Sequence, residues 1–141
     1  MSEAGSRFGG GCLCGAVTYE FTGAPRGAVA CHCSACRKVT GSAFGTWALV
    51  RQDEFHWLSG VEQIAEFVSS EHGRRLFCRN CGTTLGSLTS RRPTFMHLAA
   101  GTLDRAPPLR IGLHAYTASK APWFEITDSL PQHVGEPTKR G

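Results

Sequence analysis

Apolar and polar residues alternate along Ala16-Val17-Thr18-Tyr19-Glu20-Phe21, placing Val17, Tyr19 and Phe21 on one face of an extended segment. A period of two is the pattern of a strand that buries one side against a core. Gly23-Ala24-Pro25 then ends the segment. Five more stretches, 43–50 (AFGTWALV), 54–58 (EFHWL), 63–69 (QIAEFVS), 94–99 (TFMHLA) and 111–116 (IGLHAY), are short, rich in aromatic or β-branched residues, and separated by Gly, Pro, Asp or Ser. The pattern predicts a mostly β fold. Helical structure is expected only as a turn or two over 34–40 and a turn near 128–130.

A chain of 141 residues with 17 Gly and 7 Pro fits one domain with many turns and excludes a long helical bundle. The domain is placed at 8–132. Residues 1–7 and 133–141 read as flexible termini, and the whole run 1–10 as a loose leader. No stretch approaches the roughly 18 apolar residues of a membrane span, and the first ten residues lack the apolar core of a secretory signal. A reducing cytoplasm is therefore the expected compartment. The net charge of +4 is scattered in short pairs such as Arg74-Arg75 and Arg91-Arg92. Neither a nucleic acid nor a membrane is expected as a partner.

Seven cysteines carry the chemistry: Cys12-x-Cys14, Cys31-x-Cys33-x-x-Cys36 and Cys78-x-x-Cys81. An odd number cannot close into disulfides without a leftover thiol, and these spacings favour metal. Zinc takes four ligands at tetrahedral corners, and structural sites are closed by two short pairs from distant parts of the chain. The outer pairs fit such a cage, with Gly15 and Gly82 following Cys14 and Cys81 as knuckle glycines. Cys31, Cys33 and Cys36 form an open cup whose fourth corner is left to water, a side chain or a substrate atom. A zinc in the cup can activate water or ionise a substrate thiol, and three thiolate donors favour thiol chemistry. In an extended segment His32 faces away from Cys31 and Cys33. His32, His97 and His114 are the side chains that could instead close the cup as a second structural site, and His97 and His114 are the candidate proton carriers. Arg37 and Lys38 follow the cup and offset its charge. A redox CxxC at Cys33 and Cys36 is disfavoured by the third cysteine beside it.

The runs Gly10-Gly11-Cys12-Leu13-Cys14-Gly15-Ala16-Val17, Cys31-His32-Cys33-Ser34-Ala35-Cys36-Arg37-Lys38, Phe77-Cys78-Arg79-Asn80-Cys81-Gly82-Thr83 and Ser119-Lys120-Ala121-Pro122-Trp123-Phe124 together resemble the glutathione-dependent formaldehyde-activating enzyme family, which includes centromere protein V. The resemblance spans residues 8–132. It implies a mostly β fold of the β-tent type, with Cys12, Cys14, Cys78 and Cys81 on a structural zinc and Cys31, Cys33 and Cys36 on a catalytic one. It also implies carbon–sulfur lyase-type activity that joins glutathione, or another thiol, to formaldehyde or a related small carbonyl, or cleaves the adduct. Ser42 and Phe44, just past the cup, and Lys120 and Trp123 in the last motif are expected to line the substrate pocket. The alternative is a zinc-stabilised binding module without catalysis.

Overall fold

The computed structural model describes residues 7–137. Among the described residues eleven strands form two sheets. Strands β1 (Arg7–Gly11), β2 (Thr18–Thr22), β5 (Phe55–Ser59) and β10 (Leu103–Arg105) make a four-stranded antiparallel sheet in the order β10-β1-β2-β5. The second sheet has the order β11-β3-β4-β9-β8-β7-β6. Its strands are β3 (Ala28–Cys31), β4 (Gly45–Arg51), β6 (Ile64–Val68), β7 (Gly73–Cys78), β8 (Thr84–Thr89), β9 (Phe95–Ala99) and β11 (Ile111–Ala115). Only β3 and β11 run parallel there. One α-helix, α1, occupies Ser34–Thr40 between β3 and β4, so the mostly β reading holds.

The alternation in β2 does what its period requires. Val17, Tyr19 and Phe21 are buried, and they meet Ala48 and Val50 of β4, Leu76 of β7 and Met96 and Leu98 of β9 in one core between the sheets. Phe55 stacks on Tyr19 at 5.2 Å and meets Trp57 edge-on at 4.8 Å, sealing the outer sheet's inner face. Successive residues of β4 point to opposite sides, so Trp47 and Leu49 belong to a second cluster with Val29, Cys31, Cys36, Leu113 and Ala115. The long sheet is thus lined on one side by the main core and on the other by the surroundings of the cup.

Residues 7–10 were expected in a loose leader and instead form most of β1. The glycines are there because the strand is crowded. A Cβ on Gly10 would lie 2.0 Å from the Thr102 carbonyl oxygen and 2.8 Å from the Tyr19 hydroxyl. Gly10→Ala should therefore lower stability by about 1–3 kcal/mol, the usual cost of overpacking, visible as a lower midpoint in urea. Residues 1–6 and 138–141 lie outside the described residues. Within the expected C-terminal tail, His133 N–H donates to the His114 carbonyl at 2.9 Å, and the Gly135 carbonyl accepts from Tyr116 N–H at 3.1 Å. This segment lies along the end of β11. No turn of helix forms at 128–130. The Asp128 carboxylate takes the Leu130 N–H itself at 3.0 Å, the local hydrogen bond by which Asp turns a chain.

Candidate metal centres and cavity

The first cysteine cluster joins the two sheets. Cys12 and Cys14 sit in the turn between β1 and β2, whereas Cys78 ends β7 and Cys81 lies in the turn before β8. Their four sulfurs lie within 4.8 Å of one another, with Cys12–Cys14 at 3.6 Å and Cys14–Cys78 at 4.0 Å. A tetrahedral zinc with bonds of ~2.3 Å places its sulfurs ~3.8 Å apart, so the donor set fits. Gly15 and Gly82 each adopt φ of 82°, and their N–H groups close tight turns onto the Cys12 and Cys78 carbonyls.

Donors surround these sulfurs. Val17 N–H points at Cys12 Sγ and the Asn80 amide at Cys14 Sγ, both at 3.2 Å, and the Thr83 hydroxyl lies 3.2 Å from Cys81 Sγ. The Thr83 hydroxyl and backbone pull the Cys81 thiol down to about 5, which favours the thiolate that a metal binds. Asn80 and Thr83 were not singled out from sequence. Their place inside and just after a CxxCG knuckle was the available signal.

The second cluster is the expected three. Cys31 ends β3, Cys33 caps the N-terminus of α1 by accepting from Cys36 N–H at 3.3 Å, and Cys36 follows in the first turn. Hydrogen bonds from Cys31 and Cys36 pull the Cys33 thiol strongly down, and Arg75 adds to this, while Cys31 is pushed up by its bonds to Cys33 and Cys36. Among the described residues no further Cys, His, Asp or Glu joins this cluster within 4.8 Å.

A cavity of about 480 Å³ opens against the three cysteines, a size typical of small-molecule sites. Its wall follows from register. Leu49 of β4 pairs with His97 of β9, His97 with Ser87 of β8, and Ser87 with Arg75 of β7, so one transverse row of side chains faces the cavity. Trp47 and Tyr116 also line it. Tyr116 holds φ of 58°, the one positive value at a non-glycine among the described residues, and such backbone strain gathers at ligand sites.

His97, a candidate proton carrier, thus lies in the cavity wall, whereas His32 and His114 do not. His32 is fully buried on the far side of the cup loop, with Nε2 2.8 Å from His114 Nδ1. His114 Nε2 in turn reaches the Asp128 carboxylate at 3.0 Å. Burial pushes the His32 imidazole down, helped by His114 and Lys120. The Asp128 carboxylate can only accept, so His114 Nε2 donates to it. Sequence gave no sign of Asp128, which lies 14 residues from its partner.

The four expected pocket residues are not brought to this cavity. Phe44 packs on His32 at 4.9 Å between ring centres. Ser42 donates to the Phe44 carbonyl, and the Lys120 ammonium is held by the carbonyls of Ala121 and Phe124. Trp123 is 71% exposed. For Ser42 and Phe44 the cause is α1, which turns the chain leaving the cup away from the cavity.

His114 holds the Asp128 carboxyl below the usual carboxylate range, with the Leu130 N–H assisting. A depressed folded value contributes stability that is present above the unfolded value and lost as pH falls through the folded one. Asp128→Asn should therefore melt below wild type at pH 7, and the gap should close in acid as the wild-type carboxylate is protonated. Thermal melts across pH measure this directly.

The model of the family described as glutathione-dependent formaldehyde-activating enzyme matches residues 7–119. An uncharacterised lyase of Schizosaccharomyces pombe is 33% identical over 76 residues, which are 54% of this chain and 53% of that protein. The chain thus spans about half the length of this curated relative. A crystal structure of a Rhodobacter sphaeroides protein superimposes with a TM-score of 0.59 at 25% identity, covering 71% of this chain and 91% of that one. Among the described residues no helix is long and apolar enough to cross a membrane. With a match over most of its length and both cysteine clusters inside the matched region, the chain belongs to the glutathione-dependent formaldehyde-activating enzyme family.

Proposed function

We propose that this protein is a zinc-dependent carbon–sulfur lyase-type enzyme that forms or cleaves the adduct of a thiol, such as glutathione, with formaldehyde or a related small carbonyl. The observation that carries the reading is the three-sulfur cup opening onto the cavity, with no further Cys, His, Asp or Glu joining it among the described residues. The reading assigns Cys12, Cys14, Cys78 and Cys81 to a zinc that holds the fold, and Cys31, Cys33 and Cys36 to a zinc that serves the reaction. Zinc in the second set supplies ionisation of a thiol at neutral pH.

The chain's own groups do the rest. Arg75 Nη1 lies 3.6 Å from Cys36 Sγ and offsets the thiolate charge. Trp47 and Leu49 give the cavity an apolar patch beside the cup. In the forward direction the thiolate sulfur forms a bond to the carbonyl carbon, and the carbonyl π pair moves to oxygen, which takes a proton. The reading gives that proton to His97, which lines the cavity. Cleavage is the reverse. Family membership and the lyase name of the yeast relative support the reaction class, and seven free thiols suit a reducing cytoplasm.

The test is exchange NMR of glutathione and formaldehyde with zinc-loaded protein. Interconversion faster than in a protein-free control is the expected result. Equal rates would remove this substrate pair and favour the binding-module alternative.

A further inference from the structure

The cavity wall contains cations, and most are already matched by acids of the chain. Arg91 and Arg92 lie 3.4 and 3.8 Å from the Glu136 carboxylate. Arg75 differs: among the described residues no carboxylate lies within ion-pair distance of it, while its neighbour Arg74 on the opposite face of β7 pairs with Glu66 at 3.3 Å.

Arg75 is also held in place. Its guanidinium carbon stands over the Trp47 ring at 5.9 Å from the centre, and Trp47 is itself only 3% exposed. Nε reaches the Ser69 hydroxyl at 3.4 Å and Nη1 reaches Cys36 Sγ at 3.6 Å. A guanidinium carries five N–H donors in a rigid fork, so these contacts fix its plane and leave the Nη2 edge for a ligand. That cation adjoins the cup, where three thiolates around a divalent ion leave excess negative charge. An anionic group is tolerated there only with a cation beside it.

We infer that Arg75 selects thiols that carry a carboxylate, by binding that carboxylate while the sulfur is seated at the cup. The inference rests on the thiol reading of the cup given above. A planar carboxylate matches one guanidinium fork bidentately. Trp47 lets the fork be ordered before the ligand arrives, which lowers the cost of binding.

Isothermal titration calorimetry of the zinc-loaded protein tests this with glutathione and its dimethyl ester, which presents the same thiol without carboxylates. Wild type should bind glutathione about tenfold to a hundredfold more tightly than the ester, the span expected for hydrogen bonds to a charged group. Arg75→Met should weaken glutathione more than the ester, so that the margin between the two closes, and Arg75→Lys should retain part of it. Equal wild-type affinity for the two ligands overturns the inference and leaves the thiol reading intact. Equal weakening of both ligands in Arg75→Met also overturns it, since Arg75 would then serve only the charge of the cup. Should Arg75→Met fail to hold zinc, the wild-type pair of titrations decides alone. If neither thiol binds wild type, the thiol reading and this inference fall together.

Discussion

Cys81→Ser, or chelation of the ion held by Cys12, Cys14, Cys78 and Cys81, unfolds the protein. The four residues tie the β1–β2 turn of the short sheet to the β7–β8 turn of the long one. Without an ion, the two turns are joined locally by contacts such as Leu13 N–H to the Thr83 hydroxyl at 3.0 Å, a bond worth about 1 kcal/mol. Zinc in a set of this kind contributes ~10–16 kcal/mol in small peptides, against a net stability of ~5–15 kcal/mol for a domain. Cys78 and Cys12, moreover, are part of the main core, so sulfurs that repel one another would act in its interior. Far-UV circular dichroism during titration with a chelator should show cooperative loss of β structure. A native spectrum and an unchanged melt after the ion is removed would mean that packing alone holds the sheets.

Cys36→Ser should behave in the opposite way, losing more than about a hundredfold in activity with little change of fold. Altering groups that merely support metal ligands already costs 10–100-fold, and a hydroxyl is a far poorer zinc donor than a thiolate. Cys36 lies in α1, beside the cavity and away from the main core between the sheets. Its cost in stability is that of a buried hydroxyl, about 1–3 kcal/mol, and each kcal/mol lowers the melting midpoint by about 2–4 °C at this size. Melting both variants side by side separates the two clusters. Equal midpoints for Cys36→Ser and Cys81→Ser would show that they do not divide the work as proposed.

What could be read from the chain alone was governed by which faces are apolar on both sides of an element. β2 buries one face and exposes the other, and its alternation shows it at once. The cysteine clusters were legible because short spacings force their sulfurs together whatever the surrounding fold does. β3, Ala28–Cys31, is buried on both faces with small residues, so it has no alternation to read. β7 and β8 escaped for a different reason. Their cavity side carries Arg75, Ser87 and Thr89, chemistry rather than core, and so lacks the apolar period of a strand. Missing these strands meant missing the cavity wall. Nearness in sequence to the cup was a poor guide, since Phe44 packs on His32 and Ser42 bonds the Phe44 carbonyl, while Arg75, 39 residues from Cys36, meets its sulfur.

Zinc-edge X-ray absorption on fully loaded protein, with metal counted per chain, tests the division of sulfurs most directly. The account predicts two ions per chain, one with four sulfur neighbours and one with three sulfurs and a single exchangeable light atom that glutathione replaces with sulfur. One ion per chain, or a histidine nitrogen completing the second shell, would contradict it.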